Sequence, residues 1–182
     1  MEGFSWLVFS FNLIVLLSRI AIAADTLTYG SSHIDGQTLV SASQVFELGF
    51  FSPGISKSRY LGIWYKNISF TAAWVANRGN PIPDLSGTLI IINKSGILGL
   101  SNRNGTVFWS SKSGGGAFSL VAQILDNGNL VLRQANVTSP DSYIWQSFDF
   151  PTDTLLPGMK QGWNLKTGLN RNLTSWKSSD DP

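Results

Sequence analysis

The sequence predicts an all-β protein, and three observations carry that expectation. The stretch Ile124-Leu125-Asp126-Asn127-Gly128-Asn129-Leu130-Val131-Leu132-Arg133 is two apolar runs hinged on Asn-Gly. Asn-Gly supplies the positive φ angles of a tight type I′ turn, so the stretch reads as a β-hairpin. The idea recurs within residues 89–100, turning at Ser95-Gly96, and within 103–109, turning at Asn104-Gly105. No window carries a convincing 3.6-residue period, so almost no helix is expected after the N-terminal segment. Lastly, Trp74, Trp109 and Trp145 lie 35 and 36 residues apart. Trp109-Ser110-Ser111 resembles Trp145-Gln146-Ser147, and residues 96–100 resemble 128–132. A period of that length marks a repeated supersecondary unit. Three units of a few short strands would close around a shared core, with one Trp of each pointing inward.

In chain order, residues 1–23 stand apart. Residues 7–17 are nearly all apolar, and Ala21-Ile22-Ala23 places small residues where a signal peptidase reads. This is a secretory signal peptide, cut after Ala23 or Ala24. Its n-region is unusual in carrying Glu2 and no Lys or Arg. A membrane anchor is the alternative, but the apolar run falls short of the roughly 20 residues a span needs. Residues 25–36 are polar and turn-rich. Residues 38–41 form a short strand. Residues 45–51 alternate, with Phe46, Leu48 and Phe50 on one face, as a half-buried strand does. Ser52-Pro53-Gly54 ends it.

Further strands are expected at 59–65, 73–77, 88–92, 97–100, 107–109, 120–125, 129–133 and 143–145, with a flexible loop at Gly114-Gly115-Gly116. After Phe150 the texture becomes turn-rich, and residues 151–182 are too few to bury a core of their own. They either pack back on the first domain or begin a second one.

Composition narrows the function. Of 182 residues, 43% are hydrophobic and 13% charged, with a net charge of +2. The charged share is about half the usual 25%, which argues against a disordered or nucleic-acid-coating chain. The sequence has no cysteine. A secreted domain of this size usually leans on disulfides. Here seven Trp and eleven Phe must supply the core instead. Five sequons, at Asn67, Asn93, Asn104, Asn136 and Asn172, fit a secreted chain with glycans on exposed loops.

Several stretches resemble a known family. They are residues 46–54, 60–66, 74–78, 125–132, 145–149, 151–160 and 174–178, among them Phe46-Glu47-Leu48-Gly49-Phe50-Phe51, Tyr60-Leu61-Gly62-Ile63-Trp64-Tyr65 and Trp145-Gln146-Ser147-Phe148-Asp149. Together they look like the bulb-type lectin domain of plant S-locus glycoproteins and S-domain (G-type lectin) receptor-like kinases. The resemblance implies a type II β-prism: three small antiparallel sheets about a pseudo-threefold axis, with the Trp residues in the centre. It also implies that residues 24–150 are the lectin domain and that 151–182 start the second domain. Full-length relatives continue into cysteine-rich modules, a membrane span and a Ser/Thr kinase. On that comparison the chain is expected to be a truncated product, a fragment or an incomplete gene model.

Mannose-binding members of the family use Q-x-D-x-N-x-V-x-Y. Gln, Asp and Asn hydrogen-bond vicinal hydroxyls, Val packs on the sugar's apolar face and Tyr closes one side. Here the Gln position is Leu125, the Asp position Asn127 and the Tyr position Arg133, so only Asn129 and Val131 survive. The Asp neighbour, Asp126, could serve only if the turn were rebuilt. In the second repeat Ile97 takes the Asn position, and no third copy is intact. Asp126, Asn127, Asn129 and Val131 are thus a degenerate sugar site. The competing reading has Asn129 and Asp126 satisfying turn backbone groups.

No cofactor, metal or catalytic residue is expected. His33, the one histidine, reads as a surface imidazole. Asp149 and Asp153 read as turn-capping residues rather than a glycosidase pair. Phosphate loop, kinase lysine motif and nucleophile elbow are all missing. Trp64, Tyr65 and Phe70 could form an exposed aromatic patch, though core or edge positions suit the first two better. Lys57 and Arg59 make a small basic loop.

The expected function is an extracellular recognition module, secreted or displayed. It would bind a peptide, protein or glycan ligand, with dimerisation or receptor pairing through edge strands, and no nucleic acid. A membrane would be met only through C-terminal regions outside this chain. The alternatives are a soluble mannose-binding lectin and a non-functional truncation.

Overall fold

The computed structural model describes residues 24–68, 71–92, 96–111 and 119–182. Residues 1–23, expected to be a signal peptide, Asn93, Phe70 and the Gly114-Gly115-Gly116 stretch lie outside them. The strands are β1 (Thr26–Thr28), β2 (Ser32–Ile34), β3 (Thr38–Val40), β4 (Phe46–Phe51), β5 (Tyr60–Tyr65), β6 (Ala72–Val75), β7 (Thr88–Ile92), β8 (Ile97–Ser101), β9 (Val107–Ser110), β10 (Leu120–Ile124), β11 (Leu130–Gln134), β12 (Trp145–Gln146), β13 (Gly162–Trp163) and β14 (Asn170–Arg171). Two 3-10 turns, Pro140–Ser142 and Ser147–Asp149, are the helical content among the described residues.

The strands make three four-stranded antiparallel sheets, ordered β3-β4-β5-β6, β2-β7-β8-β9 and β1-β10-β11-β12, plus the hairpin β13-β14. Each sheet takes three consecutive strands from its own repeat. Its fourth comes from residues 26–40, which give β1 to the third sheet, β2 to the second and β3 to the first. The segment read as polar and turn-rich, 25–36, thus supplies β1 and β2, and together with β3, expected as a short strand at 38–41, it clasps all three sheets. Its strands are three residues each, too short for alternation to declare itself.

Alternation directs the core. Leu89 and Ile91 of β7, Leu98 and Leu100 of β8, Ala122 and Ile124 of β10, and Leu130 and Leu132 of β11 point inward into one cluster. Trp74, Trp109 and Trp145 sit on β6, β9 and β12, the outermost strand of each sheet. Their ring centroids lie 6.0, 6.0 and 5.6 Å apart, with interplanar angles of 80°, 64° and 71°. These are edge-to-face contacts, each worth about 0.5–1.5 kcal/mol beyond the area buried. Three sheets closed around such a triad are the type II β-prism that the Trp spacing and the family resemblance imply.

The repeat has a polar component as well. The backbone N–H of Leu98 donates to Ser111 Oγ at 2.9 Å, and that of Leu130 donates to Ser147 Oγ at 2.9 Å. In the first sheet the N–H of Leu61 donates to Asn77 Oδ1 at 2.9 Å. A short polar side chain just after each Trp thus satisfies a buried donor at the start of the sheet's third strand, which explains why Trp-x-Ser recurs.

Three expectations are corrected. Gly128 has φ 84°, but Asn127 is not among the residues with positive φ. The turn is therefore not type I′. The N–H of Gly128 donates to Leu125 O and that of Leu125 to Asn129 O, a type I turn closed by a glycine bulge. Asn102 to Thr106 repeats this geometry, with Gly105 at φ 81°. Next, β4 is buried on both faces: Phe46 and Leu48 face the main core, while Phe51 joins Tyr60, Ala72 and Val75 in a second cluster. Last, His33 is only 4% exposed, on an inward position of β2 opposite Leu89.

Residues 151–182 pack back on the prism. Leu156 enters the main core, and Trp176 lies on the second cluster. Arg78 donates to the carbonyls of Thr174 and Ser175 at 2.8 and 2.7 Å. Asp180 accepts from the N–H of Ile55 at 3.0 Å.

Candidate functional site

The degenerate sugar motif lies on the outer face of the third sheet, where β11 runs between β10 and β12. Register places Val131 beside Gln123 on one side and Gln146 on the other. Val131 is wholly buried and Asn129 is 4% exposed.

The Asn129 amide is occupied at both ends. Its Nδ2 donates to Gln146 Oε1 at 2.9 Å. Its Oδ1 accepts from the Ser147 hydroxyl at 3.1 Å and from the backbone N–H of Phe148 at 3.2 Å. Asn129 therefore braces the 3-10 turn after Trp145, not its own hairpin. The bonding continues outward: Gln146 Nε2 donates to Asp149 Oδ2 at 3.2 Å, and Arg171 Nε donates to Asp149 Oδ1 at 2.8 Å. Asp149 is thus half of an ion pair with Arg171.

The Tyr position is equally committed. Arg133 Nε and Nη2 donate to Gln123 Oε1 at 3.2 and 2.7 Å. Its Nη1 is shared among the carbonyls of Gln134, Ala135 and Val137. Gln123 Nε2 in turn donates to Asp25 Oδ2 at 2.7 Å. Of the turn residues, Asn127 Oδ1 accepts from the N–H of Asn129 at 3.0 Å, a local Asx-type bond. Asp126 reaches a different loop and accepts from the N–H of Ser43 at 2.7 Å. Hydrogen bonds from the Ser43 hydroxyl and N–H hold the Asp126 carboxyl below its ordinary value.

The four predicted residues share one end of one sheet, but they do not converge on an open space. Gln123, Gln146, Asp149 and Arg171 complete the site, and the sequence reading missed them in this role. Nothing local in the sequence linked Arg171 to Asp149.

The other two sheets present different outer faces. On the first, Phe51, Tyr60, Ala72 and Val75 form an apolar layer with Trp64 and Trp176 over it. Trp64 Nε1 donates to Glu47 Oε2 at 2.9 Å, and Tyr65 packs on Phe46 with centroids 4.4 Å apart. Neither belongs to an open aromatic patch. Arg59 is not a loop cation either, since it chelates Asp35 at 2.7 and 2.5 Å. On the second sheet, the outward side of β7 carries the half-buried Thr88, Ile90 and Ile92, with Ile92 over Gly99.

The described sequon residues Asn67, Asn104, Asn136 and Asn172 are all exposed. Asn67 lies between β5 and β6, Asn104 between β8 and β9, and Asn136 between β11 and β12. These are the same loop in each of the three repeats.

Fold and site together define a lectin domain of the bulb type. The chain belongs to the D-mannose binding lectin family, whose family model matches residues 71–177. It is 49% identical to the receptor-like serine/threonine-protein kinase SD1-8 of Arabidopsis thaliana, over 98% of this chain and 21% of that protein. It is 46% identical to the S-locus-specific glycoprotein S6 of Brassica oleracea, over 98% of this chain and 41% of that protein. The chain thus spans about a fifth to two fifths of the length of these relatives.

Among solved structures, the Japanese Marasmius oreades lectin matches with a TM-score of 0.51 and 15% identity, over 68% of this chain and 90% of that one. A monomeric monocot mannose-binding lectin from Gastrodia elata matches with a TM-score of 0.51 and 17% identity, over 68% of this chain and 96% of that one. At such identities they support the fold alone. Among the described residues, no helix is long and apolar enough to cross a membrane.

Proposed function

We propose that this chain is an extracellular recognition module of the S-domain receptor type and that its partner is a peptide or another receptor ectodomain, not mannose. One observation carries the reading: the surviving motif residues, Asn129 and Val131, are internal to the fold, and the amide of Asn129 is bonded at both ends. A sugar would have to displace those bonds to gain equivalent ones, a near-zero exchange. The kinship with S-locus glycoproteins and receptor kinases supports a role in cell-surface recognition. In the same reading, residues 1–23 are a signal peptide. Residues 24–150 form the prism proper, and 151–182 lead into a second domain, a division supported by the separate β13-β14 hairpin. Glycans on Asn67, Asn104 and Asn136 would sit at equivalent loops of the three repeats, with Asn93 and Asn172 as further acceptors.

The retention of Asn129 and Val131 favours, as a second reading, a secreted mannose-binding lectin. A glycan array on the secreted chain, with attached sugars trimmed and its solution mass recorded, separates the two. The proposal expects a folded, monodisperse protein with no mannose-competed signal. Specific mannose-competed binding would replace it with the lectin reading, and aggregation would favour a non-functional product.

A further inference from the structure

The outermost strands β6, β9 and β12 meet at the Trp triad, and a cleft of about 300 Å³ opens there. Its walls include Trp74, Trp109, Trp145, Phe150, Ser110 and Arg78. That volume is at the lower end of small-molecule sites, roughly 300–1,000 Å³. The aromatic wall is already ordered. Phe150 stacks on Trp145 with centroids 6.0 Å apart and planes at 12°, and Trp74 Nε1 donates to Phe150 O at 2.8 Å. Yet Phe150 remains 41% exposed, leaving aromatic surface in water at the cleft.

Arg78 gives the cleft its polarity. Its Nη1 and Nη2 donate to the carbonyls of Thr174 and Ser175, both neutral acceptors. Its Nε is buried and has no hydrogen-bond partner. The ion pairs among the described residues are Arg59–Asp35, Arg171–Asp149 and Lys177–Asp181, so the Arg78 charge has no counterion. A partly buried cation with an unmatched donor is costly until an anion meets it. A carboxylate gives a guanidinium a charge-assisted acceptor, and an aromatic body suits the ring-lined wall.

We propose that this cleft is a binding site for a small aromatic carboxylate, with its ring against the Trp–Phe150 wall and its carboxylate on Arg78. The site is separate from the sugar motif and does not depend on the choice of partner above. A phosphate or sulfate would satisfy the charge but leave the aromatic wall wet. A neutral aromatic would do the reverse.

The test is a titration of the secreted chain with 2-naphthoate and with its neutral analogue 2-naphthylmethanol, followed by quenching of tryptophan emission. The proposal expects saturable binding of the acid, about tenfold or more tighter than the alcohol. Arg78→Gln should bring the two probes to equal affinity. Because Arg78 also tethers the C-terminal segment, Phe150→Ala is the second variant. It removes the exposed ring stacked on Trp145 while leaving Arg78 and the triad in place, and should weaken both probes about tenfold with an unchanged far-ultraviolet circular dichroism spectrum. Equal affinity of the two probes for the wild-type chain, no binding at all, or undiminished binding by folded Phe150→Ala would each overturn the site.

Discussion

Asn129→Ala separates a structural asparagine from a sugar ligand. The truncation removes the bond to Gln146 and strands two buried donors, the Ser147 hydroxyl and the Phe148 N–H. Ser147 is wholly buried and Phe148 is 6% exposed, so water does not readily replace the lost acceptor. Each stranded group costs roughly 1–3 kcal/mol, giving about 2–6 kcal/mol for the substitution. That is a large part of the 5–15 kcal/mol that typically holds a domain folded. With a urea m-value of about 2 kcal/mol per molar, the midpoint should fall by about 1–3 M. Urea unfolding followed by tryptophan emission and far-ultraviolet circular dichroism measures it. Asn129→Asp keeps the acceptor but sets a buried carboxylate against Gln146 Oε1, so it should recover only part of the loss. An Asn129→Ala midpoint within about 0.5 kcal/mol of wild type would refute the reasoning, because a surface sugar ligand would behave that way.

Other perturbations have signs fixed by the structure. Gly128→Ala places a Cβ 2.8 Å from Leu156 Cδ1 and 2.9 Å from Phe46 Cε1, at φ 84°. The left-handed backbone and the overlap together should cost about 2–4 kcal/mol in the same assay. Trp145→Ala removes two edge-to-face contacts of the triad and the stack on Phe150, and should cost about 3–5 kcal/mol with loss of the near-ultraviolet circular dichroism signal. Burial lowers the His33 pKa from its ordinary 6.5. The unfolded chain therefore takes up a proton that the folded chain refuses. Stability should decline as pH falls through 6.5 toward the lowered folded value and level off below it. His33→Phe should flatten that decline in thermal melts taken between about pH 7.5 and pH 5.

Much of the prism was legible because its information is periodic. Alternation in residues 46–51 located a strand and the side that carries Phe46, Leu48 and Phe50, apolar runs at 88–92 and 129–133 located further strands, and the Trp spacing located the threefold. The clasp of β1, β2 and β3 was not legible, because pairing of three-residue strands to three distant partners leaves no local pattern. The burial of His33 went unseen for the same reason. The turn at Gly128 was placed correctly but typed wrongly: Asn-Gly suits either a type I′ turn or a type I turn with a glycine bulge, and here the glycine alone takes positive φ. At the candidate site the losses at Leu125, Asn127 and Arg133 were visible by alignment to the motif. The reason Asn129 persists was not, since its partners Gln146, Ser147 and Phe148 are 17 to 19 residues away.

The central claim is that the surviving sugar motif is internal bracing. The most direct test is a titration of the ¹⁵N-labelled protein, residues 24–182, with methyl α-mannoside, following the side-chain amide signals of Asn129 and Gln146. The account predicts that both stay put at sugar concentrations sufficient to fill a site with a Kd of about 1 mM. Saturable shifts of those two signals, produced by the mannoside and not by the matching galactoside, would contradict it.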